Sequence, residues 1–306
     1  MGWYQSLGPV SYNHAKGDSS HALSQDGQRL PSQADRYADC CCRWPMLFNF
    51  QLNPIDAIAP WGLEPHLHWY GITFGNYWID IGGVELFRYT DAMLNQWQLS
   101  TEQPYDDYQV SRIWEDVLKF LPDVLASVPE SVARTLGVSG DGQSWEARVT
   151  RWRARRVSED DEYDNLYDQA TWWWHSRRMT SGYLIYDPCI FLWRIGTEIT
   201  MRWNTDLRTP DGLPVWTAAP GTCTLPVPDF IDEVRSFDDR LMRSMGERVR
   251  SVKERWDRSG ISIDVDNLER EQRDRSQWLA QSLQRAPGLP ATDWEQVVHA
   301  ATRLGL

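Results

Sequence analysis

The chain lacks any run of eighteen apolar residues, so no segment of it reads as a membrane-crossing helix. Its first residues lack the basic-then-apolar pattern of a secretory leader. Lysine is scarce: only Lys16, Lys119 and Lys253 stand among 31 basic residues, and the rest are arginine. A GC-rich coding sequence produces the same skew, so it is not read as phosphate recognition. Cysteine is sparse and awkwardly placed. Cys40, Cys41 and Cys42 are adjacent, which fits neither a structural zinc spacing nor a disulfide framework, and Cys189 and Cys223 lie in apolar, strand-like surroundings. Reduced thiols in a cytoplasmic protein are expected. Nucleophile and phosphate signatures are missing as well. There is no Gly-x-Ser-x-Gly elbow, no His-Glu-x-x-His helix and no glycine-rich phosphate loop ending in lysine.

What is present is an ordinary globular composition, 42% apolar and 24% charged over 306 residues, with two peculiarities. The first is a net charge of -12, which repels nucleic-acid backbones and suits a basic protein partner. The second is 18 tryptophans, a residue that serves cores and binding faces equally well. Residues 1–45 show no period and carry equal numbers of acids and bases, so the charge excess lies after Pro45. Met46 opens the strand-like "MLFNFQLNP". Residues 1–45 are therefore expected to be a non-native or disordered extension, and residues 46–306 one domain, divisible into similar halves 46–178 and 179–306.

From His66 the pattern predicts a three-stranded meander, "HLHWYGIT", "YWIDI" and "VELFRY", with turns at Phe74-Gly-Asn76 and Gly82-Gly83. Thr90 or Asp91 caps a short helix. Val110, Ile113, Trp114, Val117, Leu118 and Leu121 recur at helical spacing over residues 107–121, and Pro122 is expected to end that helix. Helical stretches then follow near 144–157 and 160–178. A second strand region comprises "GYLIY", "CIFLWRI", "EITMRWN", "PVWTA" and "TCTLPV". A long helix capped by Asp229 carries Phe230, Val234, Phe237, Leu241, Met245 and Val249 on one stripe. Asp266 opens another helix, and Thr292 with Glu295 has a capping-box spacing. The fold class these elements predict is α+β, antiparallel meanders packed against amphipathic helices.

Four constellations carry conceivable chemistry. His66 and His68 share a strand face as two metal ligands would, but no third ligand is near in sequence, with Asp80 or His175 having to arrive through the fold. No metal and no cofactor is expected. Carboxylates at Asp80, Glu85, Glu198, Asp206 and Asp211 could supply the paired acids that glycoside hydrolysis needs, with Trp78 and Trp203 as stacking neighbours and Arg202 beside them. From this set His68, Asp80 and Asp206 are the acid–base candidates, and Trp78, Trp203 and Arg202 the binding candidates. "RVTRWRARR" (148–156) is the one basic stretch fit for nucleic acid, and the acids of "SEDDEYD" directly after it are expected to neutralise it. In "TWWWHSRR" the three consecutive indoles cannot share a helix face, so at least one is expected on the surface. Cys189 follows Pro188 in an apolar strand, where a thiol stays protonated and inert.

"PHLHWYGITFGNYWIDIGGVELFRY", "PYDDYQVSRIWEDVLKFLPDVL", "FLWRIGTEITMRWN", "DGLPVWTA" and "TLPVPDFIDEVRSFDDRLMRSMGERV" occur in an order that resembles an uncharacterised bacterial family, a domain of unknown function, over about residues 46–284. The resemblance implies a start near "MLFNFQLNP" and supplies no catalytic residues. Two functions are carried forward. One is a cytoplasmic, non-catalytic binding protein, an immunity-like antagonist of a basic protein, with no membrane or nucleic-acid partner. The other is a hydrolase acting on a polar or sugar-like substrate.

Overall fold

The computed structural model describes residues 46–138, 145–155, 161–288 and 291–306, with the backbone alone at Met46, Leu47 and Asp161. The expected extension with its three cysteines, the end of the basic run at Arg156 and the acids at 159 and 160 lie outside the described residues.

The architecture is α+β, two antiparallel sheets and the helices that cover them. In the first sheet β1 (Met46–Leu52) pairs with β3 (Phe74–Ile81) along its whole length. The far edge of β3 is shared by β4 (Val84–Leu86) and β5 (Asp106–Gln109). The expected meander exists only in part. His66–Leu67 form a short β2 parallel to β10 (Ser262–Ile263), and a 3-10 turn at Gly71–Thr73 follows. Phe74-Gly-Asn76, expected to turn, runs straight inside β3. Gly75 serves close approach instead: a Cβ there would collide with the Gln51 carbonyl and stand 2.7 Å from Leu52 Cα. The second turn is as expected, with φ of 60° at Gly82 and 90° at Gly83.

Thr90 caps α1 (Asp91–Trp97) by accepting the Met93 N–H. The next helix, α2 (Val110–Leu125), buries the expected stripe but starts later, because Asp106–Gln109 are strand, and it passes through Pro122. Proline has no N–H, so the Leu118 carbonyl one turn earlier lacks its helical partner. The Ser282 hydroxyl donates to that carbonyl at 2.6 Å. Short α3 (Glu130–Thr135), α4 (Trp145–Arg155) and α5 (Asp161–His175) follow.

The second sheet is a plain meander, β6 (Arg178–Met179), β7 (Cys189–Ile195), β8 (Glu198–Asn204) and β9 (Gly221–Pro226). "GYLIY" is no strand; it belongs to the β6–β7 loop, while "PVWTA" contributes two isolated bridges, Trp216 to Tyr89 and Pro214 to Arg208. Four helices complete the chain: α6 (Val227–Glu254), α7 (Val265–Arg275), α8 (Trp278–Arg285) and α9 (Trp294–Leu304). Pro226 stands at the N-cap of α6 with Asp229 inside its first turn, and the caps of α7 and α9 are Asp264 and Asp293, each accepting a backbone N–H at 2.9 Å.

Side-chain alternation along β7 and β8 feeds two cores. Ile190, Leu192, Ile199, Met201 and Trp203 face a large core shared with the inner side of β3 and the stripes of α2 and α6. Phe191 and Trp193 face a smaller one built with Trp145, Trp173 and Trp174. The large core joins both sheets, and the two sheets differ in strand order, so the sequence likeness between the halves does not extend to topology. Among the described residues no helix is long and apolar enough to cross a membrane.

Candidate functional site

Tyr77, Ile79 and Ile81 point from β3 into the core, so Trp78 and Asp80 take the opposite face, where both are half-buried. Asp80 lies directly across from Glu85 of β4. Like charges opposite one another destabilise a sheet unless they are compensated. Here the Gly83 N–H donates to Asp80 Oδ1 at 2.7 Å, the Tyr105 hydroxyl to Glu85 Oε1 at 2.7 Å, and Arg88 Nη1 to Glu85 Oε2 at 2.5 Å. Partial burial, with help from Glu85, pushes the Tyr105 hydroxyl up to about 12, and the Glu85 bond raises Arg88 further. The Tyr105 ring stacks on Trp78 at 4.1 Å and 10°. The outer face of the sheet thus presents an indole–phenol stack beside two carboxylates and one arginine.

His66 and His68 are locked into opposite roles. The His66 Nδ1–H donates to the Glu64 carbonyl at 3.0 Å, whereas His68 Nδ1 accepts the Gly71 N–H at 3.1 Å. The lone pair of His68 Nδ1 is spent, and its neutral ring carries the proton on Nε2. The rings lie 5.9 Å apart, with Trp61 edge-on to His68 at 4.8 Å, and burial lowers the His68 pKa. Among the described residues no group of three His, Cys, Asp or Glu is arranged to hold a metal ion. His175 lies on α5 against Trp174.

The remaining candidates are scattered. Asp206 sits in an exposed loop, 3.7 Å from Arg208, and Asp211 accepts from Thr209 and Gln96 in a turn. Glu198 is exposed at the start of β8. Trp203 is buried and donates its indole N–H to Ala219, while Arg202 faces the other side of β8, donating to Val138 and lying over Trp193 at 5.4 Å. His68, Asp80 and Asp206 therefore stand in three separate segments with different partners, and among the candidate acids Asp80 is paired across the sheet with Glu85. On α4, Trp145 and Val149 are buried and Arg153 lies over Tyr167 at 5.8 Å. Glu162 of the acidic stretch pairs with Arg303 of α9 at 2.9 Å. Trp172 is 71% exposed between buried Trp173 and Thr171. Burial pushes the Cys189 thiol well up and Cys223 up to about 11. An open groove of about 470 Å³ lies between β1 and α6, where Arg248 is committed to the Ile72 and Asn53 carbonyls.

Sequence patterns did not single out Tyr105 or the buried polar group behind it. Inside the sheet, Tyr89 donates to Asp106 Oδ1 at 2.6 Å, and burial lifts Asp106 to about 6; Asp116 of α2 is lifted by burial to about 7. "PYDDY" reads as a polar approach to a helix, and only the pairing of β5 with β3 sends Asp106 inward and Asp107 outward.

Fold and surface together define an α+β protein whose outer β3–β4 face carries an aromatic stack beside two paired carboxylates. The chain belongs to a family whose model, described as "Family of unknown function (DUF5984)", matches residues 47–300. No curated protein and no solved structure matches it.

Proposed function

We propose that this is a cytoplasmic, non-catalytic binding protein that docks a basic protein partner on the outer face of β3 and β4, as an immunity-like antagonist would. The observation that carries the reading is the cross-strand Asp80–Glu85 pair beside the Trp78–Tyr105 stack, compensated among the cationic side chains of the described residues by Arg88 alone. The stretch that builds this face has the same bias: between residues 46 and 109 the sequence holds eight carboxylates, of which Asp106 is buried, against one Lys or Arg, Arg88. A partner's Arg or Lys gains from the open Asp80 oxygen and from the flat aromatic surface beside it. The hydrolase alternative has weaker support, since Asp80 and Glu85 sit on an open face and Glu85 already accepts from two donors.

The test begins with a pull-down from native cells, followed by titration of the purified partner. Asp80→Lys should weaken binding by about a hundredfold, and Glu85→Gln by about tenfold, with melting temperatures little changed. Binding should also weaken steeply with added salt. Unchanged affinity in Asp80→Lys, or recovery of the chain as a lone monomer, refutes the reading. Turnover of model glycosides that disappears in Asp80→Asn would favour the hydrolase.

A further inference from the structure

The β6–β7 loop, residues 180–188, leaves its own sheet and closes over the first one. Tyr183 stacks on Tyr108 of β5 with ring centroids 4.8 Å apart, and its hydroxyl accepts from the Tyr77 hydroxyl of β3 at 3.5 Å. Tyr186 packs near Trp97 of α1 at 5.9 Å, and its carbonyl accepts the Trp216 indole N–H at 3.2 Å. At the foot of the loop Asp187 accepts from Arg178 at 3.0 Å and from Ser181. Gly182, with open space around it, precedes Tyr183, and Ile185 at the tip is 81% exposed. Behind Tyr183 lie two carboxyl groups with a shared defect: Asp106 Oδ2 and Asp116 Oδ2 are both buried and accept no hydrogen bond.

We propose that this loop is a proton-linked clasp between the two sheets, closed while Asp106 and Asp116 hold protons and loosened once both are ionised. A buried carboxylate oxygen without a donor must either be neutralised or reached by water. Tyr183 interacts with both groups, and lifting it away lets water in. Around Asp106 stand Tyr77 of β3, Tyr89, Tyr183 of the loop and its neighbour Asp107; the Tyr77 and Tyr89 hydroxyls favour the anion and Asp107 opposes it. Around Asp116 stand Arg112 and Lys119, which favour the anion, and Glu115 and Asp187, which oppose it. For both groups burial outweighs the rest and raises the pKa, to about 6 and about 7. The closed state therefore binds protons more tightly than the open one, and closure weakens as pH rises through that range.

Hydrogen exchange, corrected for the pH dependence of intrinsic rates, reads the clasp directly. The reporter is the Leu184 amide, which donates to the Ser181 carbonyl at 2.8 Å. Its protection should fall about tenfold or more between pH about 5 and about 8, while amides in the middle of α6 keep theirs. In the Asp106→Asn/Asp116→Asn double variant the dependence should vanish; if that protein does not fold, Asp116→Asn alone should reduce it. Protection independent of pH in the wild type, an undiminished dependence in the variant that folds, or parallel loss of protection in α6 would each overturn the proposal.

Discussion

Glu85 has both carboxylate oxygens filled, one by the Tyr105 hydroxyl and one by Arg88, and this leaves Asp80 as the acid of the pair with an oxygen open to solvent. The Tyr105 side chain therefore does two separable things: it stacks on Trp78 and it holds Glu85. Tyr105→Phe should keep the stack and lose the bond, costing about 0.5–1.5 kcal/mol in urea unfolding. A loss well beyond that range would show that the stack itself depends on the hydroxyl. At this scale the sequence was partly legible. Trp78, Asp80 and Glu85 stand out as a tryptophan and two acids in alternating strands. Tyr105 does not, because its partners are 20 and 27 positions away and the loop between them has no period. Trp203 shows the converse: flanked by promising residues, it points into the core because β8 alternates.

Elements here owe their limits to neighbours as often as to local propensity. The α2 stripe is readable at every position, yet the helix continues past Pro122 because α8 supplies a donor for the stranded Leu118 carbonyl. Ser282 is fully buried, so Ser282→Ala should leave that carbonyl unpaired and cost about 1–3 kcal/mol by thermal or urea unfolding. A loss below about 0.5 kcal/mol would mean that water replaces the hydroxyl. The outer edge of β1 follows the same logic. Glu233 accepts the Phe48 N–H at 2.8 Å and Arg240 donates to the Phe48 carbonyl at 2.5 Å, so α6 closes an edge that another strand would otherwise seek. Strand periodicity located β1, β7 and β8 and misplaced "GYLIY", whose aromatic residues are used to grip the first sheet from a loop.

For the molecule as a whole, the buried carboxyl groups set the response to pH. Burial raises Asp106, Asp107, Asp116, Asp187, Glu233 and Asp238 above the ordinary carboxyl value. Each binds its proton more tightly folded than unfolded. The stability each contributes is complete below the ordinary value near pH about 4 and is lost as pH climbs through the raised values, up to about 7. His68 and His175, lowered by burial, act in the opposite sense below about pH 6.5, but they are two against six. The melting temperature should accordingly be several degrees higher at pH about 5.5 than at about 8, at constant ionic strength. A melting temperature that is flat or rises over that interval would show these carboxyls to be hydrated.

Composition and periodicity by themselves determined the α+β class, the buried stripes of α2 and α6 and the acidic balance, because each depends on residues close together in the chain or on simple sums, and the order of the sequence motifs carried the resemblance to the family. The tertiary structure alone decided which acids meet, which indoles reach the surface, and that a loop with strand-like composition bridges the two sheets. The reason is physical: side-chain direction follows local backbone geometry, whereas the neighbour a side chain finds there is set by contacts between residues as far apart as Tyr77 and Tyr183.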